Sequence, residues 1–219
     1  MGPRIPHSAS VAPDAVRVGA RVHARARLPT RHGDFEIHSF TDCAGRKLDD
    51  VALVLPSGAA LAADETVPVR LHSECLTGDV FGSRRCDCGE QLERALVEIA
   101  ARGRGVLLYM RQEGRGIGIA NKVAAYALQD AGMDTVEANL HLGFDDDLRT
   151  YDIAAAMLRE LGVQRIELFT NNPRKVEGLQ RAGLDVVRRI PIVIAARPEN
   201  TGYLRAKQAR SGHLLRDEE

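Results

Sequence analysis

Three cysteines set the tightest limit on how this chain can fold. Cys75 is followed by ten residues and then by Cys86-x-Cys88, within Arg70-Leu-His-Ser-Glu-Cys-Leu-Thr-Gly-Asp79 and Arg85-Cys-Asp-Cys-Gly-Glu-Gln91. Two thiols one residue apart turn toward a common centre more easily than they pair with each other, so the spacing is unlike a disulfide framework. Thiolates gathered this way favour a soft or borderline divalent ion, with zinc the default. Three such ligands leave a fourth position for water, the arrangement of a catalytic rather than a closed structural site.

Two other uses of the same residues compete. His72 could close a Cys3His knuckle and make the site structural. Alternatively, His72-x-Glu74 is similar to the His-x-Glu of zinc nucleobase deaminases. Their second half, Pro-Cys-x-x-Cys, has no counterpart, because Cys86-x-Cys88 is one residue short and lacks the proline. Cys43 stands alone and is expected to be an inert, partly buried thiol.

Around this cluster the texture of the chain changes. From Arg17 to about Leu71 it reads as strands, with turns at Arg31-His-Gly33, Cys43-Ala-Gly45 and Pro56-Ser-Gly58. Beyond it, Leu92, Ala95, Leu96 and Ile99 share one helical face, and Gly103 ends that helix. Val106-Leu-Leu-Tyr-Met110 is a strand, Asn121 to Ala131 a helix stopped by Gly132, and Tyr151 to Leu161 a second amphipathic helix. Ile166-Glu-Leu-Phe169 is a strand, Asn172-Pro173 caps a helix running to Gly183, and Val186 to Ile190 closes the pattern. The expected fold is mixed α/β (α+β): a single catalytic domain over 17–219 with a β-rich N-terminal third. Residues 1–16 are expected to form a disordered arm.

Composition excludes some functions. The 30 Lys and Arg balance the 30 Asp and Glu, which argues against a dedicated nucleic-acid binder and leaves room for a local basic pocket. No apolar run is long enough to cross a bilayer, so no membrane association is expected. The N-terminal segment lacks the apolar core of a signal peptide. Cysteines clustered as ligands suit a reducing, cytoplasmic setting.

Three further segments suggest an anionic ligand. Arg111-Gln-Glu-Gly-Arg-Gly-Ile-Gly118 lies between a strand and a helix, where backbone can cradle phosphate oxygens. A dinucleotide fingerprint would need a third glycine where Asn121 stands. Arg111, Arg115 and Lys122 flank those glycines as an anion would require. Asp145-Asp-Asp147-Leu-Arg149 reads by itself as a solvated charge run. Thr170-Asn-Asn-Pro-Arg174-Lys175 ends a strand and opens a helix.

Taken in order, these segments, together with Asn121-Lys122, Thr135-Val-Glu-Ala-Asn139 and Gly212-His-Leu-Leu215, closely resemble GTP cyclohydrolase II, the zinc enzyme that opens the guanine ring at the start of riboflavin synthesis. The resemblance implies Cys75, Cys86 and Cys88 as ligands of one zinc ion per subunit, with water as the fourth. It implies GTP binding by Arg70, Leu71, His72, Ser73, Glu74, Gln91, Glu113, Gly114, Arg115, Thr135, Thr170 and Lys175. Tyr126 matches an active-site tyrosine, Asp147 the proton acceptor and Arg149 the nucleophile. Because a guanidinium is protonated at any working pH, Arg149 can instead serve by stabilising charge on the α-phosphoryl group. The resemblance further implies a homodimer, magnesium on the triphosphate, and release of formate and pyrophosphate, for riboflavin or a related secondary product. The non-enzymatic alternative is a zinc-stabilised GTP-binding regulator without turnover.

Overall fold

The computed structural model describes residues 18–201 apart from 57, 59, 60, 62, 63 and 146, and for 135 and 136 the backbone alone. The expected arm, 1–16, and the Gly212–Leu215 match lie outside the described residues.

An antiparallel ribbon comes first. β1 (Ala20–Thr30) turns at Arg31-His32 into β2 (Gly33–Asp42), which pairs with β3 (Lys47–Leu55). Asp42 closes the second turn by accepting from the Ala44 and Arg46 N–H groups, both at 2.9 Å, the local bonding that favours aspartate in turns. Cys43 in that turn is exposed; the expectation of partial burial was incorrect, because the tight turn at the end of the β2–β3 hairpin projects beyond the sheet.

The rest alternates strand and helix: β4 (Thr66–Ser73), α1 (Leu76–Asp79), α2 (Cys88–Ala101), β5 (Gly105–Met110), a 3-10 turn (Glu113–Gly116), α3 (Gly118–Asp130), α4 (Thr135–His141), α5 (Asp152–Glu160), β6 (Arg165–Phe169), α6 (Pro173–Arg181) and β7 (Asp185–Ile190). Among the described residues the strands form one sheet, ordered β1-β2-β3-β5-β4-β6-β7. β3 meets β5 antiparallel, while β5, β4, β6 and β7 are parallel neighbours. The mixed α/β class with a β-rich N-terminal third is therefore observed.

Both faces of the central strands are covered, which is why they read as continuous apolar runs. Val69 and Leu71 of β4, Leu108 and Met110 of β5 and Leu168 of β6 pack on Met157 and Leu158 of α5 and Leu179 of α6. With the period-two alternation of strands, Leu107 and Phe169 point the other way, onto Ala95 and Ile99 of α2.

Helix ends follow the sequence signals. α2 stops just before Gly103, whose φ of 65° suits the left-handed residue after a helix. α6 starts at Asn172, whose side-chain oxygen accepts from the Arg174 N–H at 2.9 Å, with Pro173 at the first helical position. The short helices α1 and α4 carry no such periodic signal and were not expected. α3 begins at Gly118, before the start its apolar pattern suggested, because its first turn is part of the glycine-rich segment.

The strand order fixes where a ligand can sit. From β4 the chain crosses to β5 on one side and later returns to β6 on the other. Loops leaving the carboxyl ends of β4, β5 and β6 therefore open a crevice, where open α/β sheets bind ligands.

Candidate functional site

At the end of β4 the chain turns sharply into α1, and Asp79 holds the turn. Its carboxylate accepts from the Cys75 N–H at 3.0 Å and the Tyr109 hydroxyl at 2.9 Å, and lies 3.0 Å from His72 Nε2. His72 also stacks on the Tyr109 ring, 5.5 Å between centroids. Asp79 therefore holds Nε2, neither ring nitrogen joins the thiol cluster, and the Cys3His knuckle is not formed. Burial pushes His72 below its ordinary pKa, against the pull of Asp79.

The turn brings the thiols together. The sulfurs of Cys75, Cys86 and Cys88 all lie within 4.8 Å of one another. Cys75 and Cys86 are 3.6 Å apart, far beyond a disulfide bond and close to the ~3.8 Å that two thiolates on one tetrahedral zinc would show. Gly78 leaves room for them: a Cβ there would sit 3.0 Å from Cys86 Sγ and 3.2 Å from Cys75 Sγ. Cys88 opens α2, so the cluster also receives the positive end of that helix. Without a cation the three thiols cannot ionise together. Cys75, hydrogen-bonded by Cys86 and Cys88 and further favoured by Lys122, is held far below the usual thiol range. The same interaction pushes Cys86 up to about 11. A divalent ion removes that conflict, so the donor set fits zinc.

The cluster opens into a cleft of about 1150 Å³, solvent at its mouth included. Arg70, His72, Ser73, Glu74, Gln91, Glu113, Gly114, Arg115, Tyr126, Arg149, Thr170 and Lys175 share its lining with the three cysteines. Leu71 does not: its side chain is fully buried in the core, and only its carbonyl takes part, accepting from Lys175 Nζ at 2.8 Å. Asp147 is likewise absent from the lining and stands behind Arg149. The Thr135 side chain lies outside the described atoms.

Several expected ligand residues already have protein partners. Gln91 accepts from Arg70 Nη2 at 2.8 Å and donates to Asp87 at 2.5 Å. Glu113 accepts from the Leu76 N–H at 2.7 Å through one oxygen, and from the Gly114 N–H at 2.8 Å and Lys122 Nζ at 2.7 Å through the other. Both therefore brace the site itself. Arg70 Nε and His72 Nδ1, in contrast, are buried without a hydrogen-bond partner. Burial lowers the Arg70 pKa to about 10, still well above neutrality.

The glycine-rich segment is shaped by two consecutive left-handed residues, Gly114 (φ 62°) and Arg115 (φ 64°). Arg115 pays a steric cost there that glycine would not, a pattern associated with functional sites. Its carbonyl accepts from the Leu148 N–H at 3.0 Å, which ties the Asp147–Arg149 segment to the turn. Tyr126 reaches into the cleft from α3, its hydroxyl 3.3 Å from Thr77 Oγ1 and its ring under Arg85 at 4.8 Å. Burial raises the Tyr126 pKa, so the phenol keeps its proton.

Residues 20–191 match the family described as GTP cyclohydrolase II. The chain belongs to that family. It is 55% identical over 194 residues to a GTP cyclohydrolase-2 of Azotobacter vinelandii, covering 88% of this chain and 90% of the relative. A GTP cyclohydrolase-2 of Hahella chejuensis is 51% identical over 192 residues, covering 88% and 91%. The Bacillus subtilis riboflavin biosynthesis protein RibBA is 55% identical over 188 residues, covering 86% of this chain and 46% of the relative. The chain thus spans about half the length of the RibBA relatives. Two features of the site differ from the reading of the sequence: Asp79 was given no role there, and Lys122 was expected to face an anionic ligand. Asp79 orders the turn that carries Cys75. Lys122, one helical turn before Tyr126, sits between Cys75 and Glu113; the shared face of these two residues is the signal that could have found it.

Proposed function

We propose that the chain hydrolyses GTP with zinc at Cys75, Cys86 and Cys88, releasing formate and pyrophosphate and leaving a diaminopyrimidine ribosylamino monophosphate, for riboflavin or a related product. The observation that carries this reading is the convergence of three thiols on a cleft whose other walls present Arg115, Arg149 and Lys175. Bound there, zinc would supply Lewis acidity and lower the pKa of water toward neutrality, so that hydroxide would be available for guanine C8.

The chain's own residues supply the rest. Glu74, in the cleft with Arg111 Nη1 at 2.9 Å, and the unpartnered Arg70 Nε and His72 Nδ1 are suited to the polar edges of the base and ribose. A site built to satisfy such edges rejects a base lacking them strongly. The protonated Tyr126 phenol orients the reacting edge. Arg149, held by Asp147, stabilises charge on the α-phosphoryl group as pyrophosphate leaves. Gln91, Glu113 and Gly114 keep these groups in register, and Thr135, Thr170 and Lys175 complete the nucleotide site. Magnesium enters with the triphosphate.

The family likeness also favours a homodimer. The reduced thiols that this site needs suit the cytoplasm. Among the described residues no helix is long and apolar enough to cross a membrane.

Mass spectrometry of products from zinc-loaded protein, GTP and magnesium tests the reading. The diaminopyrimidine monophosphate with formate and pyrophosphate is expected. Unchanged GTP from folded, metal-replete protein would replace the enzyme with the GTP-binding regulator. Chelation separates the two again: an open-site enzyme loses turnover and keeps its fold, whereas a zinc-stabilised regulator unfolds.

A further inference from the structure

Lys122 lines the cleft, but its charge is taken up by Cys75 and Glu113. Its Nζ lies 3.1 Å from Cys75 Sγ and 2.7 Å from Glu113 Oε1, and 5.7 Å from the centroid of the Tyr126 ring. The residue is only 9% exposed. Glu113 closes a loop around it. The carboxylate that holds the ammonium also accepts from the N–H of Leu76, the residue next to Cys75. One ligand is therefore gripped at its sulfur by Lys122 and beside its backbone by the partner of Lys122.

A divalent ion with three thiolates carries a net negative charge. Such a shell donates strongly, which favours a closed structural centre over a Lewis acid. A charge-assisted N–H···S bond draws electron density from one sulfur and offsets part of that charge, with Glu113 holding the ammonium in place. We propose that Lys122 is a positioning residue for the metal: bonded to Cys75 Sγ, it weakens that sulfur's donation and keeps the open coordination position Lewis-acidic. The inference rests on the zinc reading of the cluster given above. Partners of metal ligands are typically worth 10–100-fold in metal affinity or activity, so the effect is measurable.

The test compares parent, Lys122→Met and Lys122→Arg after cobalt substitution, with circular dichroism to establish folding. The readout is the energy of the thiolate-to-cobalt charge-transfer band, which involves no turnover. Lys122→Met is expected to move the band to lower energy, because the freed thiolate donates more strongly, and Lys122→Arg to return it toward the parent. With zinc, Lys122→Met should lower kcat about 10–100-fold and leave KM for GTP little changed. A folded Lys122→Met with the parental band overturns the proposal. So does a raised KM with parental kcat, which makes Lys122 a substrate contact. If folded Lys122→Met no longer takes up cobalt, uptake must return in Lys122→Arg, and failure to return is equally decisive against it. A parent without any charge-transfer band overturns the zinc reading and this inference together, whereas a normal parent with an unmoved variant overturns the inference alone.

Discussion

Arg149 lies flat against Asp147, with Nε 2.7 Å from one carboxylate oxygen and Nη2 2.6 Å from the other. The pair is nearly closed to solvent, at 12% and 5% side-chain exposure. Burial works against the Asp147 charge, but Arg149 outweighs it and holds the carboxyl below its usual range. Such a fork fixes a charged guanidinium in place; it does not prepare one to lose a proton. Arg149→Lys keeps a charge and loses the fork, so turnover is expected to fall about 10²–10³-fold, the usual loss of one preorganised donor. Steady-state pyrophosphate release measures it. Intact-protein mass spectrometry should find no guanylyl adduct on the parent, and trapping one on Arg149 would restore the nucleophile assignment.

Tyr126 gives a second expectation. Its hydroxyl bonds Thr77, which sits 3.7 Å from Cys75 Sγ, so the phenol belongs to the ligand side of the cleft. Tyr126→Phe should fold normally and slow the reaction by about 10²-fold, within the usual range for a positioned proton donor. Chromatography of the products should show a formamide-retaining species. Parental rates through to formate would remove Tyr126 from the chemistry.

The ligand turns leave no space at Gly89. A Cβ there would run into the carbonyl of Gly78, the glycine that packs on the sulfurs of Cys75 and Cys86. Gly89→Ala must push α1 away from α2, costing about 1–3 kcal/mol as overpacking and separating Cys75 from Cys88. Thermal melts should show the loss of stability, and metal analysis less than one zinc per chain. Full zinc content with parental stability would mean that the two turns move freely.

His38 makes stability depend on pH. It is buried on β2, and burial lowers its pKa from 6.5; Glu36 opposes the shift and Arg25 adds to it. The folded pKa therefore lies below the unfolded one. As pH falls the unfolded chain takes the proton first, so the contribution is complete above about 6.5 and declines until the folded pKa is passed. The melting temperature is expected to fall on acidification below that value, and His38→Gln to flatten part of the slope. Identical slopes would assign the acid sensitivity to other groups.

Much of this was legible in the chain because it is written locally. The Asn172-Pro173 start, the Gly103 stop and the apolar runs of β4, β5 and β6 depend on a few neighbouring residues, and all stand where the sequence put them. The Cys75…Cys86-x-Cys88 spacing carried the convergence of the thiols for the same reason. α1 and α4 were not legible, since each is too short for a period to show.

The sequence by itself determined which groups the site would contain, because thiols, glycines and charged side chains have fixed chemistry wherever they stand. Only the tertiary structure decided which of them remain available. His72 is turned to Asp79, Leu71 is in the core, and Glu113 and Gln91 are engaged by the protein. Lys122 meets Cys75 across 47 residues of chain. Those assignments depend on the crossing from β4 to β5 and back to β6, and a hydrogen bond between distant segments has no local signature.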